Sequence, residues 1–219
     1  MASAPRPQPC FGGDSLTLQA PNPRLVLASQ SSARSALLRD AGLTFEAKAA
    51  RVDEDAIKAS ARAEGLDASE AALLLAEAKA MRIARTEPDA LVIGADQMLV
   101  CDGAWFDKPA DRQAATVQLR ALRGRTHELV CAVTCHRHGG RVWQHVARPR
   151  LTMREFSDRF LDAYLDAEGD AVLGSVGAYR LEGPGLHLFA KVEGEFGAIL
   201  GLPMLALLGF LRGHGVLMT

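Results

Sequence analysis

The chain has 219 residues, 48% of them hydrophobic and 23% charged, which excludes both wholesale disorder and a disulfide-stapled mini-scaffold. Its 25 Lys and Arg face 26 Asp and Glu for a formal charge of −1, so no overall positive field exists for nucleic acid or an anionic membrane. Any anion site must be local. The apolar runs fall far below the ~20 residues of a bilayer-spanning helix, and residues 1–9 lack the basic start and apolar stretch of a secretory signal. A cytoplasmic location is expected.

Residues 1–23 hold five of the ten prolines without helical or strand periodicity and read as a loose extension. One domain follows, over about 24–212, with a short tail at 213–219. Its first residues, Arg24-Leu-Val-Leu-Ala28, read as a buried strand, the polar Ser29-Gln-Ser-Ser32 as a loop, and 34–41 as a helix that Gly42 closes. Alternation over 43–48 predicts a half-buried strand, and helices follow at 55–64 and 69–85, the second with Ser69 as N-cap. The continuous apolar run at 91–101 is a buried strand, turned at Asp102-Gly103.

Asp111 caps a helix to Leu122, and two strands at 128–136 and 141–152 meet at a Gly139-Gly140 hairpin. Phe156, Phe160 and Tyr164 recur on the core face of another helix. Residues 185–192 alternate as a strand, and Pro203 opens a last apolar helix through Leu211. The class is α/β. Cys10, Cys101, Cys131 and Cys135 form no paired ligand set, so reduced thiols are expected rather than a metal site.

Asp96 stands out because it interrupts the apolar strand. A bare carboxylate there would cost several kcal/mol, so it needs a metal, a cation or several donors. It is either a functional carboxylate or a buried Asp held by a neighbour, and Gly94, two residues earlier on the same face, is expected to leave ligand space beside it. The Ser29-Gln-Ser-Ser-Ala-Arg34 loop places hydroxyls and a guanidinium at a helix N-terminus, where a phosphate or a simple serine cap both fit. Lys79 and Lys108 could complete an anion site or be solvated lysines. Asp53-Glu54-Asp55 could serve a metal or merely cap a helix. Taken together they suggest a metal-assisted phosphate site.

These residues resemble the Maf family, the septum formation inhibitor-like nucleotide pyrophosphatases. The segment Leu27-Ala-Ser-Gln-Ser-Ser-Ala-Arg34 with Leu37-Leu38 is similar to the signature LASxSPRRxxLL, departing from it at Ser32, where the signature has Pro, and at Ala33. Val52-Asp53-Glu54, Leu75-Ala76 to Lys79-Ala80, Gly94-Ala-Asp-Gln97 and Lys108-Pro109 match successive blocks in order. So do Gly124-Arg-Thr-His127, Gly177-Ala-Tyr179 with Glu182-Gly183, and Gly201-Leu-Pro203.

The resemblance implies an elongated α/β domain with a central mixed sheet and a cleft between two lobes. It implies hydrolysis of the α–β phosphate bond of a nucleoside triphosphate, dependent on Mg²⁺ or Mn²⁺ held by Glu54 and Asp96. Asp96 matches the carboxylate that accepts a proton from water, Arg34, Lys79 and Lys108 the phosphate-gripping cations, and Ser29 and Ser31 the phosphate loop. Gln97 and Glu182 point to the branch acting on 7-methylguanosine triphosphate, a house-cleaning role, whereas Ala33 departs from that branch, which often has Trp there. A homodimer is left open. The competing reading is a non-enzymatic septation-related regulator that binds nucleic acid or a cell-division partner, which the charge balance and the two Trp and two Tyr disfavour.

Overall fold

The computed structural model of the protein describes residues 18–219. Long apolar runs build its frame, because a strand buried on both faces has no polar side to alternate with. The strands are β1 (Leu25–Leu27), β2 (Phe45–Ala47), β3 (Leu91–Cys101), β4 (Ala104–Phe106), β5 (Thr126–Arg137), β6 (Gly140–Ala147), β7 (Arg150–Met153) and β8 (Phe189–Glu193). They make one mixed sheet in the order β2-β1-β3-β5-β7-β8, with β4 added to β3 and β6 to β5. The expected α/β class with a central mixed sheet is what the chain adopts.

The register creates an opening. β1 runs parallel to the start of β3 and stops with Leu27 opposite Ile93, whereas β5 runs antiparallel to β3 from Val92 to Val100. On the β1 side, β3 therefore continues past Ile93 without a strand neighbour until β4 pairs with Leu99. Asp96 lies in that uncovered stretch.

The helices are α1 (Ser32–Asp40), α2 (Glu54–Ala63), α3 (Ala68–Ala84), α4 (Arg112–Leu122), α5 (Asp158–Glu168), α6 (Phe196–Ile199) and α7 (Met204–Gly213). α3 can lie close on the sheet because Ala72, Ala76 and Ala80 present only methyl groups, all fully buried. Gly94 serves this approach. A Cβ there would stand 2.2 Å from the Ala76 carbonyl oxygen and 2.8 Å from the Ala80 Cβ. The expectation that Gly94 leaves ligand space is corrected: its missing side chain is filled by α3.

One apolar cluster gathers Leu99, Leu119, Leu129, Leu161 and Tyr179, and a second gathers Leu27, Leu38, Ile93, Leu207 and Phe210. Several elements differ from expectation for local reasons. α3 is capped by Asp67, which accepts from Ser69 and Glu70 N–H in a capping box with Glu70, so Ser69 is not the cap. The strand expected at 141–152 breaks into β6 and β7 around Pro149, which has no N–H for the ladder. The strand expected at 185–192 begins as a 3₁₀ turn, Pro184–Leu188, with Pro at its start, and only then extends as β8.

Ordered structure also begins before Arg24. The Ala20 N–H donates to the Val216 carbonyl and the Met218 N–H to the Leu18 carbonyl, both at 2.9 Å. The Gln19 side chain brackets the Thr44 backbone, donating to its carbonyl at 2.9 Å and accepting from its N–H at 2.8 Å. Residues 18–20 thus join the tail, where Val216 is buried. Residues 1–17 of the expected extension, Cys10 among them, lie outside the described residues. Cys101, Cys131 and Cys135 are free, buried thiols, and burial pushes Cys131 up to about 12, far from a reactive thiolate. Among the described residues no helix is long and apolar enough to cross a membrane.

Candidate active site

An open cleft of about 1340 Å³ runs along the uncovered stretch of β3. Ser29, Ser31, Ala33, Arg34, Glu54, Lys79, Asp96, Gln97, Lys108 and Glu182 all line it. The structure therefore brings these ten residues to one cleft from positions more than a hundred residues apart, while Asp53 and Gly94, also singled out in the sequence, do not line it.

The floor is a buried ionic cluster. Asp96 is 5% exposed and Lys79, from α3, 8% exposed. The Lys79 ammonium donates to Asp96 Oδ1 at 2.6 Å and lies 2.7 Å from Glu54 Oε1. One cation thus offsets two carboxylates, which is how the apolar strand tolerates Asp96. Burial pushes the Glu54 carboxyl up, but the Lys79 hydrogen bond and the charges of Lys79, Lys58 and Lys108 outweigh it and hold the group below the usual carboxylate range. Helix capping falls to Asp53, which accepts from the Ala56 N–H at 3.0 Å. Glu54 is released to face the cleft.

The serine loop forms the adjoining wall. Ser31 caps α1 by accepting from the Arg34 N–H at 3.3 Å, and Ser29 accepts from the Ser31 N–H at 3.2 Å. Arg34 donates through Nη1 to Ser29 at 3.2 Å and through Nε to the Gly201 carbonyl at 2.8 Å. Capping and an anion site coexist here: the cap orders the loop, and the ordered loop holds a guanidinium at a helix N-terminus. Gly201 has φ +99°, a backbone conformation that residues with a Cβ rarely adopt, and a Cβ there would also crowd the Arg34 Nε at 3.2 Å.

Across the cleft, Lys58 of α2 is bound to Asp107 at 2.6 Å, next to Lys108, which enters no ion pair among the described residues. Gln97 donates its amide to the Ala198 and Ile199 carbonyls, both at 2.9 Å, tying β3 to α6. A small recess opens off the cleft, lined by Ala33, Gln97 and Glu182 together with Val176, Tyr179 and Leu181. Arg51, Lys58, Asp107, Arg180 and Phe196 also line the cleft and escape the sequence reading. Arg51 adopts φ +46°, a conformation no sequence pattern reports, and the others look like ordinary surface residues until the sheet edge folds them inward.

The donor set suits a hard cation. Glu54 and Asp96 offer only oxygens, and each gives one of them to Lys79. Two carboxylates match the sparse protein ligation of Mg²⁺ or Mn²⁺ when substrate phosphates complete the shell. Among the described residues no group of three or more His, Cys, Asp or Glu could hold a metal by itself.

An α/β sheet with a cation-lined cleft, a serine loop at a helix N-terminus and a buried carboxylate defines a protein built to hold phosphoryl groups. Residues 24–214 match the family described as Maf-like protein, and the chain belongs to that family. A nucleoside triphosphate pyrophosphatase of Granulibacter bethesdensis is 55% identical over 194 residues, 89% of this chain and 98% of that protein. Another of the same name from Paramagnetospirillum magneticum is 56% identical over 192 residues, 88% of this chain and 99% of that protein. A 7-methyl-GTP pyrophosphatase of Rhizobium meliloti is 47% identical over 195 residues, 89% and 98% of the two chains.

Proposed function

We propose that the chain is a nucleoside triphosphate pyrophosphatase that hydrolyses the α–β phosphate bond, releasing a nucleoside monophosphate and pyrophosphate. The observation that carries this is the Lys79 ammonium held between Asp96 and Glu54 at the floor of a cleft walled by Arg34 and Lys108. Phosphoryl transfer asks little covalent chemistry of a protein; it needs charge neutralisation and an aligned water. Arg34, Lys79 and Lys108 grip the phosphates, while Asp96 orients the attacking water and accepts its proton. Ser29 and Ser31 hold the loop that presents Arg34. Mg²⁺ or Mn²⁺, held by Glu54 and Asp96, supplies charge neutralisation of the phosphate oxygens when bound.

The base lies in the recess of Ala33, Gln97 and Glu182. A carboxylate there accepts from the guanine N1–H and exocyclic amine, and its charge favours the cationic 7-methylguanine ring, so 7-methyl-GTP is the preferred substrate in a house-cleaning role. Ala33 offers no stacking surface, which relaxes selectivity toward other triphosphates. The protein acts in the cytoplasm without nucleic acid or membrane partners, alone or as a homodimer. The test is pyrophosphate release over 7-methyl-GTP, GTP, dTTP and UTP, with Mg²⁺ and with a chelator. Higher kcat/KM for 7-methyl-GTP than for dTTP and UTP, lost on chelation, is expected. Best turnover of dTTP or UTP would remove the base assignment, and no turnover the function.

A further inference from the structure

The recess carboxylate is not alone. Arg180 Nε lies 3.4 Å from Glu182 Oε1, and Arg180 Nη1 lies 3.4 Å from Glu168 Oε2. The Glu168 side chain is only 2% exposed, so it is a buried carboxylate whose charge is met by Arg180, and its other oxygen has no partner. Arg180 is thereby held from inside the protein while its guanidinium lies beside Glu182 on the cleft wall.

The backbone carrying both residues is tightly fixed. The Tyr164 hydroxyl donates to the Ala178 carbonyl at 3.2 Å, and the Tyr179 hydroxyl lies 2.8 Å from Nε2 of the buried His127. The Gly183 N–H donates to the Arg180 carbonyl at 3.3 Å, closing a turn over the intervening residues. A Cβ on Gly185 would stand 2.3 Å from that same carbonyl, so the following turn lies directly against Arg180. A segment so constrained sets the Arg180–Glu182 spacing in advance of any ligand.

We propose that Arg180 is a specificity-determining residue that lowers this enzyme's discrimination in favour of positively charged bases by compensating the charge of Glu182. This rests on the pyrophosphatase reading above. A lone carboxylate attracts a cationic ring much more than a neutral one, whereas a carboxylate with a guanidinium beside it keeps its hydrogen-bond acceptors for the guanine edge but draws the cationic ring less. Arg180 also repels a cationic ring directly. Its attraction for the triphosphate acts equally on charged and uncharged bases and cancels in their ratio.

The experiment compares kcat/KM for 7-methyl-GTP and GTP, which share the same Watson–Crick donors and differ in ring charge, in the wild type, Arg180→Gln, Arg180→Lys and Glu182→Gln. The ratio of 7-methyl-GTP to GTP should rise about five- to tenfold in Arg180→Gln, stay near wild type in Arg180→Lys and fall in Glu182→Gln. Arg180→Gln leaves Glu168 buried and uncompensated, so the double variant Arg180→Gln/Glu168→Gln is measured alongside and should show the same rise. A ratio unchanged or lowered in both Arg180 variants that lack the charge, with turnover retained, overturns the inference and leaves the pyrophosphatase reading standing. A wild-type protein that releases no pyrophosphate from any triphosphate overturns both.

Discussion

Lys79 donates to Asp96 at 2.6 Å although the two belong to different elements, α3 and β3, and both side chains are almost wholly buried. The bond is possible because Gly94 and the alanines of α3 bring helix and strand into van der Waals contact. Fold and site are therefore coupled at this point, and the two can be separated by mutation.

Asp96→Asn keeps the shape of the side chain and leaves Lys79 its contact with Glu54, so the protein should fold. It should lose about 10²-fold or more in kcat, since an amide neither accepts a proton from water nor holds a cation well. Circular dichroism with steady-state pyrophosphate release checks this. A folded variant with wild-type turnover would remove Asp96 from the mechanism.

Gly94→Ala tests the coupling from the other side. The added methyl would lie 2.2 Å from a backbone oxygen of α3, which cannot yield as a flexible side chain would. A loss of at least about 3 kcal/mol in urea unfolding is expected. A change under about 1 kcal/mol would mean that α3 lies farther from β3 than described.

His127 predicts a pH effect on stability. It is 1% exposed, and burial pushes its pKa down from 6.5 to about 4. Between those values the unfolded chain holds more protons than the native one, so stability falls as pH is lowered. The whole window amounts to about 3 kcal/mol. His136, also lowered by burial, acts in the same direction. Urea titrations at pH 7 and pH 5 should show a smaller loss for His127→Gln than for the wild type. Equal losses would sink the assignment.

The N-terminal pairing makes truncation informative. A chain beginning at Pro23 lacks the bonds from residues 18–20 to the tail and to Thr44, and should melt roughly 5 °C below one beginning at Leu18. Identical melting temperatures would show that this pairing contributes nothing.

Much of the site is legible in the sequence because its chemistry contradicts its surroundings. A carboxylate in an apolar strand needs compensation, and that need makes Asp96 conspicuous. Lys79 is less so, because on a helix a lysine reads as solvated until the alanine-rich face beneath it is recognised as buried. Face counting places Gly94 beside Asp96, yet cannot say whether ligand or helix lies opposite. Arg51 and Arg180 sit in irregular backbone, where no period marks which way a side chain points, and they join the cleft only through the fold. The 3₁₀ turn before β8 is hidden for a similar reason: hydrophobic alternation over 185–192 suits a strand, and Pro184 with the close approach at Gly185 overrides it.

The phosphate bond that is cut separates a pyrophosphatase from a phosphatase. Phosphorus NMR of a reaction with 7-methyl-GTP and Mg²⁺, run for the wild type and for Asp96→Asn, reads this directly. Nucleoside monophosphate and pyrophosphate should appear in equal amounts with the wild type and be nearly absent with the variant. Nucleoside diphosphate with orthophosphate, or the same products at the same rate from Asp96→Asn, would contradict the proposed function.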